Sequence, residues 1–270
     1  IGAFNKLVFM DKVNFIIITG SPIVRALVPL AEQNKVVQCY TSASNDKVRT
    51  SGNYTFKVMG GQVTESLAMA KFAREQLKAK KVALITNDSE YGVAGADLFE
   101  QYFKKMGGEM VGRESVRPGE REYSSVLMRA NAKTPDVIAI IQTSVDAGYT
   151  VKQARRLGIK AKLLGATALY SSETLTTAGP DSEGLYAVAY QFDPQTGNAG
   201  MKSFGEKYNN KYQGFPPIYS AAAYDSIMLY AEAMKRGAKT SDEIKNFLRN
   251  VKDYEGISGT ITIDSYSEAA

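Results

Sequence analysis

Residues 135–158 read PDVIAIIQTSVDAGYTVKQARRLG, and the change of pattern inside them decides the fold. Pro135 to Gln142 is a short, apolar, β-branched run of strand length. Asp146 to Leu157 is a longer amphipathic stretch, and Arg155 and Arg156 in its last turn complement the negative end of a helix. A buried strand followed at once by such a helix is half of a parallel crossover unit.

The same alternation runs along the chain. Further strands are expected at Val13 to Thr19, Lys35 to Tyr40, Lys81 to Thr86, Glu109 to Ser115, Ala161 to Gly165 and Gly184 to Gln191. Helices are expected at Pro22 to Gln33, Gln62 to Ala79, Gly92 to Met106 and Tyr123 to Asn131. The fold class is therefore α/β and doubly wound, on a chain of 270 residues, enough for one large or two medium domains. After Phe192 a Pro/Gly/Asn stretch, Asp193 to Gly200, leads into three helical segments: Met201 to Tyr212, Tyr219 to Arg236 and Ser241 to Asn250. One last strand, Gly259 to Asp264, alternates Thr and Ile as an edge strand with one wet face does.

Composition excludes several classes of function. There is no histidine, which removes Ser-His-Asp and Cys-His nucleophile activation and nearly all zinc chemistry. Cys39 is the only cysteine, so no internal disulfide forms, and its place in the apolar run Val36 to Tyr40 predicts a buried, inert thiol. The net charge of +5 comes from basic residues scattered near helix ends, such as Lys104 and Lys105, which is not a nucleic-acid footprint. Gly60-Gly61 and Gly107-Gly108 match no phosphate-binding loop, so no cofactor is expected. No apolar run approaches the ~20 residues of a membrane span. The N-terminus carries no secretory leader pattern.

In open parallel sheets ligands gather outside the carboxyl ends of the strands, and here those positions are rich in small hydroxyls. Thr19-Gly20-Ser21-Pro22 follows the first strand, with Ser21 read as the N-cap and Pro22 as the first helical residue. Thr41-Ser42-Ala43-Ser44 follows the second, with short side chains that let backbone groups approach a ligand. Thr86 to Gly92 follows the third and puts Tyr91 at the mouth of the next helix.

The order of these segments resembles that of the leucine/isoleucine/valine-binding family of type I periplasmic solute-binding proteins of ABC importers. Gly20-Ser21 with its Ala-Leu-Val-Pro-Leu-Ala-Glu helix comes first, then Ser42-Ala43-Ser44, Asp88 with Tyr91-Gly92, and Gly119-Glu120 before Tyr123-Ser124. Gln153-Ala154-Arg155 with Gly158, Tyr224-Asp225 and Gly256-Ile257-Ser258-Gly259-Thr260 complete the series.

The resemblance implies two α/β lobes, residues 1–61 plus 191–255 and residues 62–190 plus 256–270, with a small-molecule solute in the cleft between them. It further implies a membrane permease as partner, a monomer, a periplasmic or extracytoplasmic location with a signal peptide in the precursor, and no enzymatic activity. Members carry a strand-helix-strand unit before the point matched by Ile1 and run on past Ala270. The chain is therefore expected to be an interior piece, insoluble or unable to bind when expressed alone.

By the same resemblance Ser21 holds a ligand carboxylate, and Ser42, Ala43 and Ser44 form the loop that takes carboxylate and ammonium. Tyr91 is the aromatic of the opposite lobe, and Tyr219 is an aromatic near the side-chain pocket. Thr143 stands where members often have an aromatic, and Thr167 where amino-acid binders carry the acid that meets the ammonium. Without a charge at Thr167, the expected ligand is a small organic acid, aromatic carboxylates included, with an amino acid as the alternative. Asp146 and Asp225 are the acids offered as substitutes. A ligand-sensing regulatory domain of the same fold and a carboxylate-dependent enzyme are the competing functions.

Overall fold

A computed structural model describes residues 1–41, 52–265 and 267–269, with Ser21 and Pro22 described as backbone only. Ser42, Ala43 and Ser44 lie outside the described residues. The chain forms two compact units, one of Ile1–Gly61 with Tyr190–Ala270 and one of Gln62–Ala189.

The first unit opens with α1 (Gly2–Asn5), which runs into a π-turn at Lys6–Met10. There follow β1 (Phe15–Ile18), α2 (Ser21–Asn34), β2 (Val37–Tyr40) and β3 (Thr55–Lys57). The second unit runs α3 (Gln62–Lys71), β4 (Lys81–Asn87), α4 (Glu90–Lys105), β5 (Glu109–Val116) and α5 (Ser124–Asn131). It continues with β6 (Val137–Ile141), α6 (Ser144–Arg156), β7 (Lys162–Gly165), α7 (Ser172–Ala178) and β8 (Tyr186–Ala187). The first unit resumes with α8 (Ala199–Tyr212), α9 (Ile218–Lys235), α10 (Ser241–Arg249), β9 (Tyr254–Gly256) and β10 (Gly259–Ile261).

In the second unit five parallel strands lie in the order β5-β4-β6-β7-β8. Every residue of β6 is buried, because helices cover both faces of the sheet. The strand period of two sorts the core into layers. Val82, Leu84, Val137, Ala139 and Ile141 meet Met69, Ala73, Phe99 and Phe103 of the α3–α4 side. Ala83, Ile85, Ile138 and Ile140 meet Val126, Leu127, Val151 and Ala154 of the α5–α6 side. Each fully buried Ile or Leu contributes about 1.5–3 kcal/mol, which makes these two layers the main source of stability in the unit.

In the first unit β1, β2 and β3 are parallel, with β2 central. Val37, Cys39 and Phe56 pack on Leu229 and Ala233 of α9 and on Ile244 and Leu248 of α10, while Tyr40 turns to Val24 and Val28 of α2.

Several expectations need correction. Segment 256–270, expected with the second lobe, packs in the first unit. β10 pairs antiparallel with β9, Ile261 and Ile263 enter the core beside Leu229, and Glu268 bridges Lys57. The expected strand Gly184 to Gln191 shortens to Tyr186–Ala187, and β3 and α7 were not expected at all. The helix expected to Ala79 leaves α-geometry after Lys71 and closes with a π-turn at Phe72–Gln76. Ser21 is not the N-cap of α2. Gly20 takes that place at φ 91°, a left-handed conformation that costs glycine little, and its carbonyl accepts from Val24 N at 3.0 Å.

Cys39 is fully buried, and burial pushes its thiol up to about 12. We expect no reaction with Ellman's reagent at pH 8 in the native chain and one thiol per chain in denaturant; rapid native labelling would contradict this. No helix among the described residues is long and apolar enough to cross a membrane, and no metal-binding cluster occurs among them.

Candidate functional site

The strand order of the second unit fixes where a ligand site belongs. From β4 the chain crosses to β5 on one side and then to β6 on the other, which opens a crevice at the carboxyl ends of β4 and β6. Asn87 ends β4 there and is completely buried. Its Oδ1 accepts from Thr143 N at 2.7 Å and its Nδ2 donates to Asp146 Oδ2 at 3.0 Å. Asp146 also accepts from the Thr143 hydroxyl at 2.9 Å and from Gly119 N at 3.1 and 3.2 Å. One carboxylate thus ties together the ends of β4 and β6 and the loop after β5. Its lone pairs are spent on this work.

Beside this network Ser89 caps α4, accepting from Gly92 N at 3.1 Å, and the cap sets Tyr91 in the first helical turn. Tyr91 is half-buried against the α3–α4 layer. Gln62, the first residue of α3, donates from Nε2 to the Tyr91 carbonyl at 2.6 Å. Two residues beyond β7, Thr167 turns its hydroxyl to Val188 O at 3.3 Å, and its backbone N–H donates to Glu65 Oε1 at 2.6 Å.

Of the sequence-predicted residues, Tyr91, Thr143 and Thr167 therefore share the carboxyl rim of the five-stranded sheet. Thr143 is exposed and is the N-cap of α6, its hydroxyl engaged by Asp146. In the first unit Ser21 is the first residue of α2, at the carboxyl end of β1, and Tyr219 lies in the first turn of α9, 42% exposed. Asp225 is not a rim acid: it is 1% exposed and accepts from Ile257 N, Ser258 N and the Ser258 hydroxyl in the β9–β10 hairpin. Sequence reasoning missed Asn87, Gln62 and Glu65. Asn87 was legible as the polar residue closing an apolar strand, and Glu65 as an acid in phase with the buried Met69 of its own helix and with Ala73 in the π-turn that follows.

The fold and this rim define a class, a doubly wound α/β protein with polar groups gathered at the carboxyl ends of parallel strands. The chain belongs to the periplasmic binding protein family, whose model matches residues 2–269. It is 27% identical over 247 residues to an amino acid binding protein of Pseudomonas aeruginosa, covering 89% of this chain and 64% of that protein. The chain therefore spans less than two thirds of that relative's length. Among solved structures it is similar to a leucine binding protein, LivK, of Thermotoga maritima, at 29% identity and TM-score 0.88, with 99% of this chain and 77% of that one covered. It is equally similar to LivJ of Streptococcus pneumoniae, a branched-chain amino acid transporter substrate binding protein in complex with isoleucine, at 29% identity, TM-score 0.87 and the same coverage.

Proposed function

We propose that this chain supplies the ligand-binding part of an extracytoplasmic receptor that delivers a small carboxylate-bearing solute, an organic acid or an amino acid, to the membrane permease of an ABC importer. The observation that carries this reading is the rim built by Asn87, Tyr91, Thr143, Thr167 and Glu65, in a chain whose family match runs from residue 2 to residue 269. In the second unit Tyr91 gives this rim an amphipathic wall; in the first unit Ser21 opens α2 at the carboxyl end of β1 and Tyr219 lies in the first turn of α9. The protein acts as a monomer in the periplasmic or equivalent space and carries out no chemical step on its solute.

A melting screen of the full-length protein against amino acids and small organic acids tests this. A solute at ~100 times its dissociation constant stabilises the folded state by about 2.7 kcal/mol, a shift of several degrees. Recovery of an unchanged solute from the shifted protein is the expected outcome. Absence of any shift across both classes, or recovery of a converted product, would overturn the reading.

A further inference from the structure

We propose that the groove between α6 and the loop leading into α5 is a binding site for a phosphate group, separate from the rim at the strand ends.

Shape is the first argument. Arg121 and Glu122 of the loop and Tyr149, Lys152, Gln153 and Arg156 of α6 line a cavity of about 410 Å³ that opens to solvent. Small-molecule sites occupy roughly 300–1,000 Å³. The four α6 residues follow one another at three- and four-residue spacing, which puts them on one outward face of the helix. Ala147, Val151 and Ala154 hold the opposite face in the core. At a rise of 1.5 Å per residue Arg156 lies roughly 20 Å along α6 from Thr143, so the groove leads down the side of the unit and away from the rim.

Charge is the second argument. Three cations, Arg121, Lys152 and Arg156, line the groove with one acid, Glu122. Glu122 is turned to the start of α5 and accepts from Ser124 N at 2.7 Å, while the neighbouring Glu120 accepts from the backbone N–H groups of Arg121 and Glu122. Asp146, the only acid in α6, is buried and committed to Asn87, Thr143 and Gly119. Other helices pair such cations at home, Lys104 with Glu100, Arg236 with Glu232 and Lys245 with Asp242. Among the described residues no acid pairs with Arg121, Lys152 or Arg156, and Lys152 reaches only the Thr177 carbonyl at 3.5 Å.

Order is the third argument. The Arg121 guanidinium stands over the Tyr149 ring, 4.6 Å from its centroid. Its carbonyl accepts from Gln153 Nε2 at 2.7 Å, and Gln153 Oε1 accepts from Tyr123 N at 2.7 Å, so one side chain locks the loop to α6. A guanidinium stacked on a ring keeps its N–H edge for an anion, and one held in place loses little freedom on binding. Guanidinium forks match phosphate oxygens two at a time, and Lys152 adds a point charge. A lone carboxylate brings one charge to three cations, whereas a phosphate monoester brings about −1.5 to −2 at pH 7. Free phosphate, a phosphate ester and a lipid headgroup share this chemistry.

The test is titration calorimetry of the full-length protein in a phosphate-free buffer with inorganic phosphate and glycerol 1-phosphate, and co-sedimentation with vesicles of phosphatidylglycerol or phosphatidylcholine. Wild type is compared with Arg121→Gln/Arg156→Gln and with Lys202→Gln/Lys207→Gln, which removes as much charge from the exposed side of α8 in the other unit. At least one phosphate probe is expected to bind wild type and to bind the groove variant ~10-fold or more weakly, the scale of one lost charge-assisted hydrogen bond. The α8 variant should stay within ~2-fold of wild type, since exposed charges more than a Debye length away are screened. Saturation by either soluble probe identifies a free or esterified phosphate, and sedimentation with phosphatidylglycerol alone identifies a headgroup. Binding of none of the probes, undiminished binding by the groove variant, or an equal loss in both variants would overturn the inference. The receptor reading is decided separately, by the solute screen.

Discussion

Replacing Asp225 by alanine is expected to lower the stability of the chain by roughly 3 kcal/mol, the largest loss foreseen for any single polar residue, because two buried N–H groups lose their acceptor at once. Ile257 N and Ser258 N donate to its two oxygens at 2.9 and 2.7 Å, and the Ser258 hydroxyl adds a third bond at 2.5 Å. These bonds fasten the β9–β10 hairpin to α9. At this size the unfolding midpoint moves about 2–4 °C per kcal/mol, so a fall of roughly 6–12 °C is expected. Asparagine should cost less, because its oxygen still serves one N–H while its amide group faces the other. Burial holds the Asp225 carboxyl above its usual value, against the opposing pull of Ser258 and Ile257. A raised carboxyl pKa keeps the proton bound in the folded state to higher pH than in the unfolded one. Stability contributed by this group is thus greatest below the ordinary aspartate value of ~3.9 and declines as pH rises towards the folded value. Both variants should flatten that decline in a melting series across the acid range. Unchanged melting of Asp225→Ala, or unchanged hydrogen-exchange protection of the Ile257 and Ser258 amides, would refute this account.

The layers of the fold were legible because strand and helix periods are local properties of the chain. Val137 to Ile141 is apolar on both faces, which occurs where helices cover both sides of a sheet, and the structure buries every one of these residues. Local signals failed where a strand is short or a partner is remote. β3 has three residues and ends in Lys57, so nothing in its pattern marks it; pairing with β2 makes it a strand. Segment 256–270 went to the wrong unit because its destination depends on the apolar contacts of Ile261 and Ile263, which no short window shows. Ser21 looked like a cap by residue type, but the positive φ at Gly20 moved the helix start one residue earlier.

At the site the same division holds. Tyr91, Thr143 and Thr167 were reachable from the rule that ligands sit beyond strand ends, since each follows its strand within a few residues. Glu65 was not, because it precedes Thr167 by 102 positions and reaches the rim from a helix start. The Asn87–Asp146 bond spans 59 positions. The clue to Glu65 was present as an acid on an apolar helix face, a local conflict of the kind that functional sites retain.

Gly92→Ala puts this rim under direct strain, and two opposed effects decide its sign. Helix propensity alone favours alanine over glycine by up to ~1 kcal/mol inside a helix. Against it, a Cβ on Gly92 would overlap the carbonyl oxygen of Asn87 and stand 2.6 Å from Thr86 Oγ1. The first of these neighbours is backbone and cannot rotate away. Asn87 is held in turn by Thr143 and Asp146, and Thr86 by the Ile141 carbonyl, so relief requires moving the end of β4 or the start of α4. Overpacking of this kind costs about 1–3 kcal/mol and occasionally more, which exceeds the propensity gain, and a net loss of ~2 kcal/mol is expected. Gly200→Ala is the contrast. Gly200 lies in the first turn of α8, and a Cβ there meets only the side chains of the N-cap Asn198 at 3.3 Å and of Ile257 in the β9–β10 turn at 3.6 Å, so stability should change by less than ~0.5 kcal/mol or rise slightly. The two variants also separate in binding. Gly92→Ala displaces Asn87 and the Tyr91 backbone that anchors Gln62, so its solute affinity should fall together with its melting temperature, whereas Gly200→Ala leaves both unchanged. Equal stability of Gly92→Ala and wild type would mean that α4 slides along the sheet at little cost, and the rim would then not be the rigid platform that the Asn87, Thr143 and Asp146 bonds describe.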